Sequence, residues 1–260
     1  MNAPVNMKPR SPRETLAVGV TPRDRHAAKV RHVLAWLYAW GFSTQNVLKR
    51  VLGIKANGFM AELERKGLVA KVVPNPEQNI AVYVLTRKGY EAAMLHEDTQ
   101  YPYGKSMLAR AVPRLRHDVI TQHVVLDTGY AQYIPGPLMV DPLANGVKAP
   151  DALVQLASDP ADVWTAIEVE LTPKSGRELD TTWARLFDAL GAGDFQRVIY
   201  VSHNQALLDR YQKLAAGKVA VWIKDTTFNR WTRTGAWRQA TPEHLAAIEW
   251  RHEPNLLERV

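Results

Sequence analysis

The chain of 260 residues is 46% hydrophobic, carries a formal net charge of +7 and contains no cysteine. That apolar content suffices for a folded core, and the missing thiols exclude disulfides and thiolate chemistry. No apolar run is long enough to span a membrane, and the opening MNAPVNMKPRSPRETLAVGVTPRDRH lacks the apolar core of a signal peptide, so a cytoplasmic protein is expected.

The charge is unevenly spread. Residues 1–116 hold 19 Lys+Arg against 8 Asp+Glu, whereas residues 117–260 hold 14 against 18. A basic half joined to a mildly acidic one predicts two modules, and the basic one suits a polyanionic partner. Residues 1–25 read as a disordered basic tail. Residues 26–42 then repeat apolar positions at helical spacing (Val30, Val33, Leu34, Leu37, Trp40) up to Gly41. Residues 43–54 predict a second helix, with Ser43 as its N-cap, and residues 55–69 a third. LVAKVV (68–73) and AVYVLT (81–86) flank a turn-rich PNPEQNI and predict a hairpin. LTRKGYEAAM opens a further helix.

Three helices, a hairpin and a helix resemble a winged helix-turn-helix over residues 26–95, which implies double-stranded DNA as partner. The basic side chains to contact phosphates are Lys49, Arg50, Lys55, Arg65, Lys66, Arg87 and Lys88. Asn57, near the start of the third helix, can reach a base edge. Glu62 and Glu64 on that helix reduce its positive field.

Residues 96–115 read as a linker, and residues 116–240 as an α/β domain. Residues 116–132 are mostly helical in pattern. Strands are expected at 151–157, 163–171, 197–203 and 218–223, with helices at 175–191 and 204–217. Residues 241–260 read as a short helix and tail. The strand VWTAIEVEL alternates, so Glu168 and Glu170 share one face while Ile167, Val169 and Leu171 point to the core. If the strand starting at Asp151 is its antiparallel neighbour, Asp151 lies beside Glu168 or Glu170. Converging carboxylates repel one another, and a hard cation such as Mg²⁺ or Mn²⁺ relieves that. Glutamates on the wet face of a half-exposed strand are the structural alternative.

Pro150-Asp151 followed by Glu168-x-Glu170 resembles the PD-(D/E)xK nuclease core, with Glu170 where lysine is usual and Lys174 four residues on. The strings APDALV and EVELTPKS, downstream of LTRKG, are more narrowly similar to the replication-relaxation family of plasmids and integrative elements, which overlaps MobC-type relaxases. That resemblance implies metal-dependent nicking of DNA at an origin or operator, with relaxosome or replication proteins as partners. Asp151, Glu168 and Glu170 would bind the metal and Lys174 would stabilise charge on the phosphate. His117 or Asp118 would add a ligand or general base. A DNA-binding accessory or transcription regulator that keeps the nuclease fold as a scaffold is the alternative.

No GxxxxGK[ST] and no GxSxG occurs, which argues against a P-loop ATPase and an α/β-hydrolase. Without paired histidines, Tyr101, Tyr103, Tyr130 and Tyr133 are expected to pack rather than to act as nucleophiles.

Overall fold

The computed structural model describes residues 21–96, 114–139, 149–225, 227–228 and 230–260, and it is mixed α/β. The chain divides into two compact units that part between Leu138 and Met139. Residues 1–20 of the expected tail and 97–113 of the expected linker lie outside the described residues. No described helix is long and apolar enough to cross a membrane.

In the first unit, α1 (Pro22–Trp40) begins four residues before the predicted start. Thr21 caps it by accepting from Asp24 N–H at 3.2 Å, and Pro22 suits the first turn, so residues 22–25 are helix rather than tail. Gly41, at φ 79°, ends it in the left-handed conformation. The cap of α2 (Gln45–Leu52) is Thr44, not Ser43. Ser43 Oγ instead donates to the Gln122 side chain at 2.6 Å. α3 (Gly58–Arg65) is shorter than predicted. β1 (Val69–Val72) and β2 (Val82–Leu85) pair antiparallel, Val69 opposite Leu85, and a bridge between Ser43 and Tyr83 adds the chain ahead of α2 to the hairpin.

The LTRKG string locks α4 (Arg87–Met94) in place. Thr86 caps the helix and its hydroxyl donates to the Gly67 carbonyl at 2.6 Å. Lys88 Nζ donates to the Lys66 carbonyl at 3.0 Å. Only glycine fits at position 89, since a Cβ there would meet the Leu68 carbonyl oxygen at 1.9 Å.

α5 (Leu115–Asp127) groups with these elements, not with the strands after it. Leu115, Val119, Ile120, Val124 and Val125 are fully buried. Gln122 accepts from Trp36 Nε1 at 3.2 Å and donates to the Phe42 carbonyl at 3.0 Å. β3 (Tyr130–Pro135) carries Tyr130 and Tyr133, which pack on Trp36, with Tyr133 also stacked on Trp40. The sequence boundary at 116 therefore falls inside the first unit, where Gln122 and His123 of α5 bond to Trp36 of α1 and Arg50 of α2.

The second unit holds β4 (Ala152–Leu156), β5 (Thr165–Glu170), α6 (Gly176–Ala192), β6 (Arg197–Ser202), α7 (Gln205–Ala215), β7 (Lys218–Asp225), β8 (Arg230–Gln239), α8 (Pro242–Ala246) and β9 (Ile248–His252). Its mixed sheet runs β4–β5–β6–β9. β4 is antiparallel to β5, and β5, β6 and β9 are mutually parallel. Where a tail was expected, β9 adds a strand, and Trp250 packs on Trp183 and Tyr200. β7 and β8 form a separate hairpin that the sequence showed only in its first strand. One core lies between the sheet and the helices: Ala166, Val198 and Tyr200 meet Leu179, Trp183, Leu186 and Phe187 of α6 and Leu207, Leu208 and Tyr211 of α7.

Candidate functional site

All six residues of β5 are buried, so the strand has no wet face. Glu168 is 5% exposed and Glu170 3%. Register pairs Glu168 with Tyr200 and Ala166 with Val198, which sets the glutamates on the side of the sheet that α6 and α7 cover. The alternation in the sequence was real, but both faces of the strand are interior. Two buried carboxylates on one central strand are costly unless charges and hydrogen bonds compensate them.

Asp151 stands immediately before β4, and the antiparallel pairing that the sequence left open brings it to the Glu168 end of β5. Its N–H donates to the Ile167 carbonyl at 3.0 Å, and its Oδ2 accepts from Val169 N–H at 2.9 Å. The aspartate thus grips the backbone on both sides of Glu168. It is itself buried, at 6% exposure.

Glu170 is held differently. Lys174 Nζ forms an ion pair with its Oε2, and Tyr200 Oη donates to the same oxygen at 3.0 Å. Burial first, then the Glu170 and Glu168 carboxylates, push the Tyr200 phenol well above its ordinary range, so it stays a donor. The Lys174 N–H donates to Tyr211 Oη at 2.5 Å. Burial raises that phenol to about 12. A tyrosine on β6 and one on α7 therefore fix the Glu170–Lys174 pair. Neither stood out in the sequence, because a buried tyrosine in a strand or helix reads as core.

Glu168 lines a cavity of about 40 Å³ with Pro150, Thr182, Arg185, Leu186, Ala189 and Phe195. Arg185 is half-buried, and desolvation lowers the pKa of its guanidinium. Among the described residues no ion pair engages it. A guanidinium beside a buried carboxylate offers an anion a charge-assisted contact. The sequence concealed Arg185 in an ordinary amphipathic helix. Among the described residues no group of three imidazole or carboxylate side chains is arranged to hold a metal ion.

His117 and Asp118 lie on α5 of the first unit. His117 Nδ1 is 3.2 Å from the Asp118 carboxylate, and Arg114 is 3.7 Å from it.

The residues expected to contact DNA sort into two groups. Lys55, Asn57 and Arg65 are exposed around α3, Asn57 accepting only a 3.4 Å bond from Gln45, and Lys49 is half-buried. The others are tied down. Arg50 donates to His123 Nδ1 at 2.8 Å and pairs with Asp127, joining α2 to α5. Lys66 pairs with Glu62 at 2.6 Å, Arg87 with Glu91 at 3.0 Å, and Lys88 holds the Lys66 carbonyl.

Comparison with protein-family models and with curated proteins finds no match to this chain.

Proposed function

We propose that the chain is a DNA-processing protein of replication-relaxation type. In this reading the first unit is a winged helix-turn-helix that grips double-stranded DNA, and the second is a PD-(D/E)xK-like unit that nicks it. The observation that carries the catalytic half is the hold of Asp151 on the backbone either side of Glu168, which brings two buried carboxylates together at one end of a β4–β5 pair.

Asp151 and Glu168 would hold Mg²⁺ or Mn²⁺, hard cations that suit carboxylate oxygens. A bound divalent cation supplies a water of lowered pKa and neutralises charge on the scissile phosphate. Glu170, engaged by Lys174, serves to position the ammonium rather than to ligate. Lys174, tethered by Tyr211 through its own N–H, is the cation for the charge that builds on the phosphate. Arg185, which lines the same cavity as Glu168, would supply a second cation. DNA binding rests on Lys55, Asn57 and Arg65, the exposed polar groups around α3.

A non-catalytic, sequence-specific DNA-binding accessory is the second reading. It is favoured by the closed Glu170–Lys174 pair and by the absence, among the described residues, of a three-ligand group. One experiment separates the two: supercoiled plasmid carrying the element's own origin, incubated with Mg²⁺, Mn²⁺ or EDTA. Metal-dependent conversion to open circle, lost in Asp151→Asn and Glu168→Gln, supports the nickase. Salt-sensitive binding without cleavage by any of the three proteins supports the accessory.

A further inference from the structure

The β7–β8 hairpin is a basic, aromatic island in an acidic half of the chain. Residues 218–239 hold five basic side chains and one acidic, whereas the rest of residues 117–260 hold nine basic and seventeen acidic. The hairpin is anchored from its base to the residues beside its turn. Val219 and Ala220 are buried, Trp222 Nε1 donates to Asp180 of α6 at 3.0 Å, and Arg177 of α6 lies over Trp231 at 5.2 Å.

The remainder is open. Every described residue of β8 except Trp231 is exposed, and Ile223, Phe228 and Trp237 are 58%, 77% and 52% exposed. Arg233 stacks over the Trp237 ring at 4.3 Å, which holds the indole and a positive charge together. Arg238 pairs with Asp188. Among the described residues no ion pair engages Lys224, Arg230 or Arg233.

We propose that this hairpin is a binding surface for single-stranded nucleic acid, with bases stacking on Trp237 and the phosphates running along Lys224, Arg230 and Arg233. Exposed aromatics spaced among unpaired cations fit a single strand, whose π-faces are free, better than a duplex, whose bases already stack on one another. The choice of DNA over RNA rests on the function proposed above, since a nicking protein works beside a freed strand. The surface itself does not depend on cleavage.

The test uses the full chain and fluorescence anisotropy with labelled oligo-dT of twenty nucleotides, the same length as duplex, and an RNA of like sequence. Variants are Trp237→Ala, Trp237→Phe, the triple Lys224→Ala/Arg230→Ala/Arg233→Ala, and Lys55→Ala/Arg65→Ala in the first unit. Trp237 is half exposed, so its loss leaves the fold intact, as the melting curve checks. The expected result is about a tenfold loss of single-strand affinity in Trp237→Ala, recovery in Trp237→Phe, and a shallower salt dependence in the triple variant. Duplex binding is unchanged in these and falls only in the first-unit variant. Single-strand affinity equal to wild type in both Trp237→Ala and the triple variant overturns the proposal. So does concentration-dependent self-association through the exposed β8 edge, lost in Trp237→Ala, with no strand bound. Failure of the functional reading appears separately, as wild type that neither binds duplex nor nicks plasmid. A preference for RNA keeps the surface and changes only its substrate.

Discussion

The carboxylate of Asp151 accepts from the backbone N–H of Val169 at 2.9 Å, so a side chain ahead of β4 takes up a hydrogen bond near the C-terminal end of β5. This places a second carboxylate beside Glu168. The bond also separates two roles of Asp151. Asp151→Asn keeps an oxygen acceptor and should hold stability close to wild type while abolishing nicking. Asp151→Ala removes that acceptor and should cost about 1–3 kcal/mol as well. Urea titration beside the plasmid assay checks both, and nicking that survives in Asp151→Asn sinks its assignment as ligand.

The Glu170–Lys174 pair joins a buried carboxylate to a half-buried ammonium, with side chains 4% and 13% exposed. Removing one partner strands the other charge. Lys174→Met should destabilise by roughly 3–5 kcal/mol, and the double variant Glu170→Gln/Lys174→Met should recover most of it. A double-mutant cycle with no coupling would mean the pair is not formed in solution.

Alkaline pH should act through the two tyrosines. In the unfolded chain a phenol deprotonates at about 10; in the fold Tyr211 holds its proton to about 12, and Tyr200 is raised well above its ordinary range. The raised values favour the folded state fully below the unfolded pKa. The benefit is lost as pH rises from about 10 through the folded values, since only the unfolded chain gains by releasing protons there. The urea midpoint should fall steeply between about pH 10, where the unfolded phenol titrates, and about pH 12, where Tyr211 titrates in the fold. Tyr211→Phe should flatten the fall, and an unchanged slope would remove the assigned cause.

Gly89 meets the Leu68 backbone too closely for any side chain, with a Cβ placed 1.9 Å from the carbonyl oxygen. Gly89→Ala must shift α4 off the hairpin and should cost about 1–3 kcal/mol. Thermal unfolding measures it. A neutral result would show that α4 docks elsewhere.

Among the first-unit cations only some have charge to spare. Lys55→Ala and Arg65→Ala should each weaken duplex binding and lower the slope of log affinity against log salt by about 1, with stability unchanged. Arg50→Ala should instead lower the melting temperature, because it removes the α2–α5 link to Asp127 and His123. Anisotropy titrations at several salt concentrations, with melting curves, tell the two behaviours apart.

Local elements are legible in the residue pattern alone. Helical spacing found α1, α2 and α3, turn residues around PNPEQNI marked the β1–β2 hairpin, and apolar runs found β4 to β7. It also brought Asp151, Glu168, Glu170 and Lys174 into one reading, because spacing along a strand fixes which side chains share a face. Everything that depends on what covers a face was settled by long-range packing. The alternation in β5 looks half-wet, yet the sheet is packed on both sides there and the glutamates are interior. α5 reads as the start of the second domain, but its Gln122 bonds to Trp36 of α1 and to Phe42, and the helix groups with the first unit. β8 and β9 were missed, since RWTRTGAWRQ and IEWRH become strands through pairing with β7 and β6 and carry little local signal. Tyr200, Tyr211 and Arg185 joined the site only through distance, for periodicity records which way a side chain points and never what it meets.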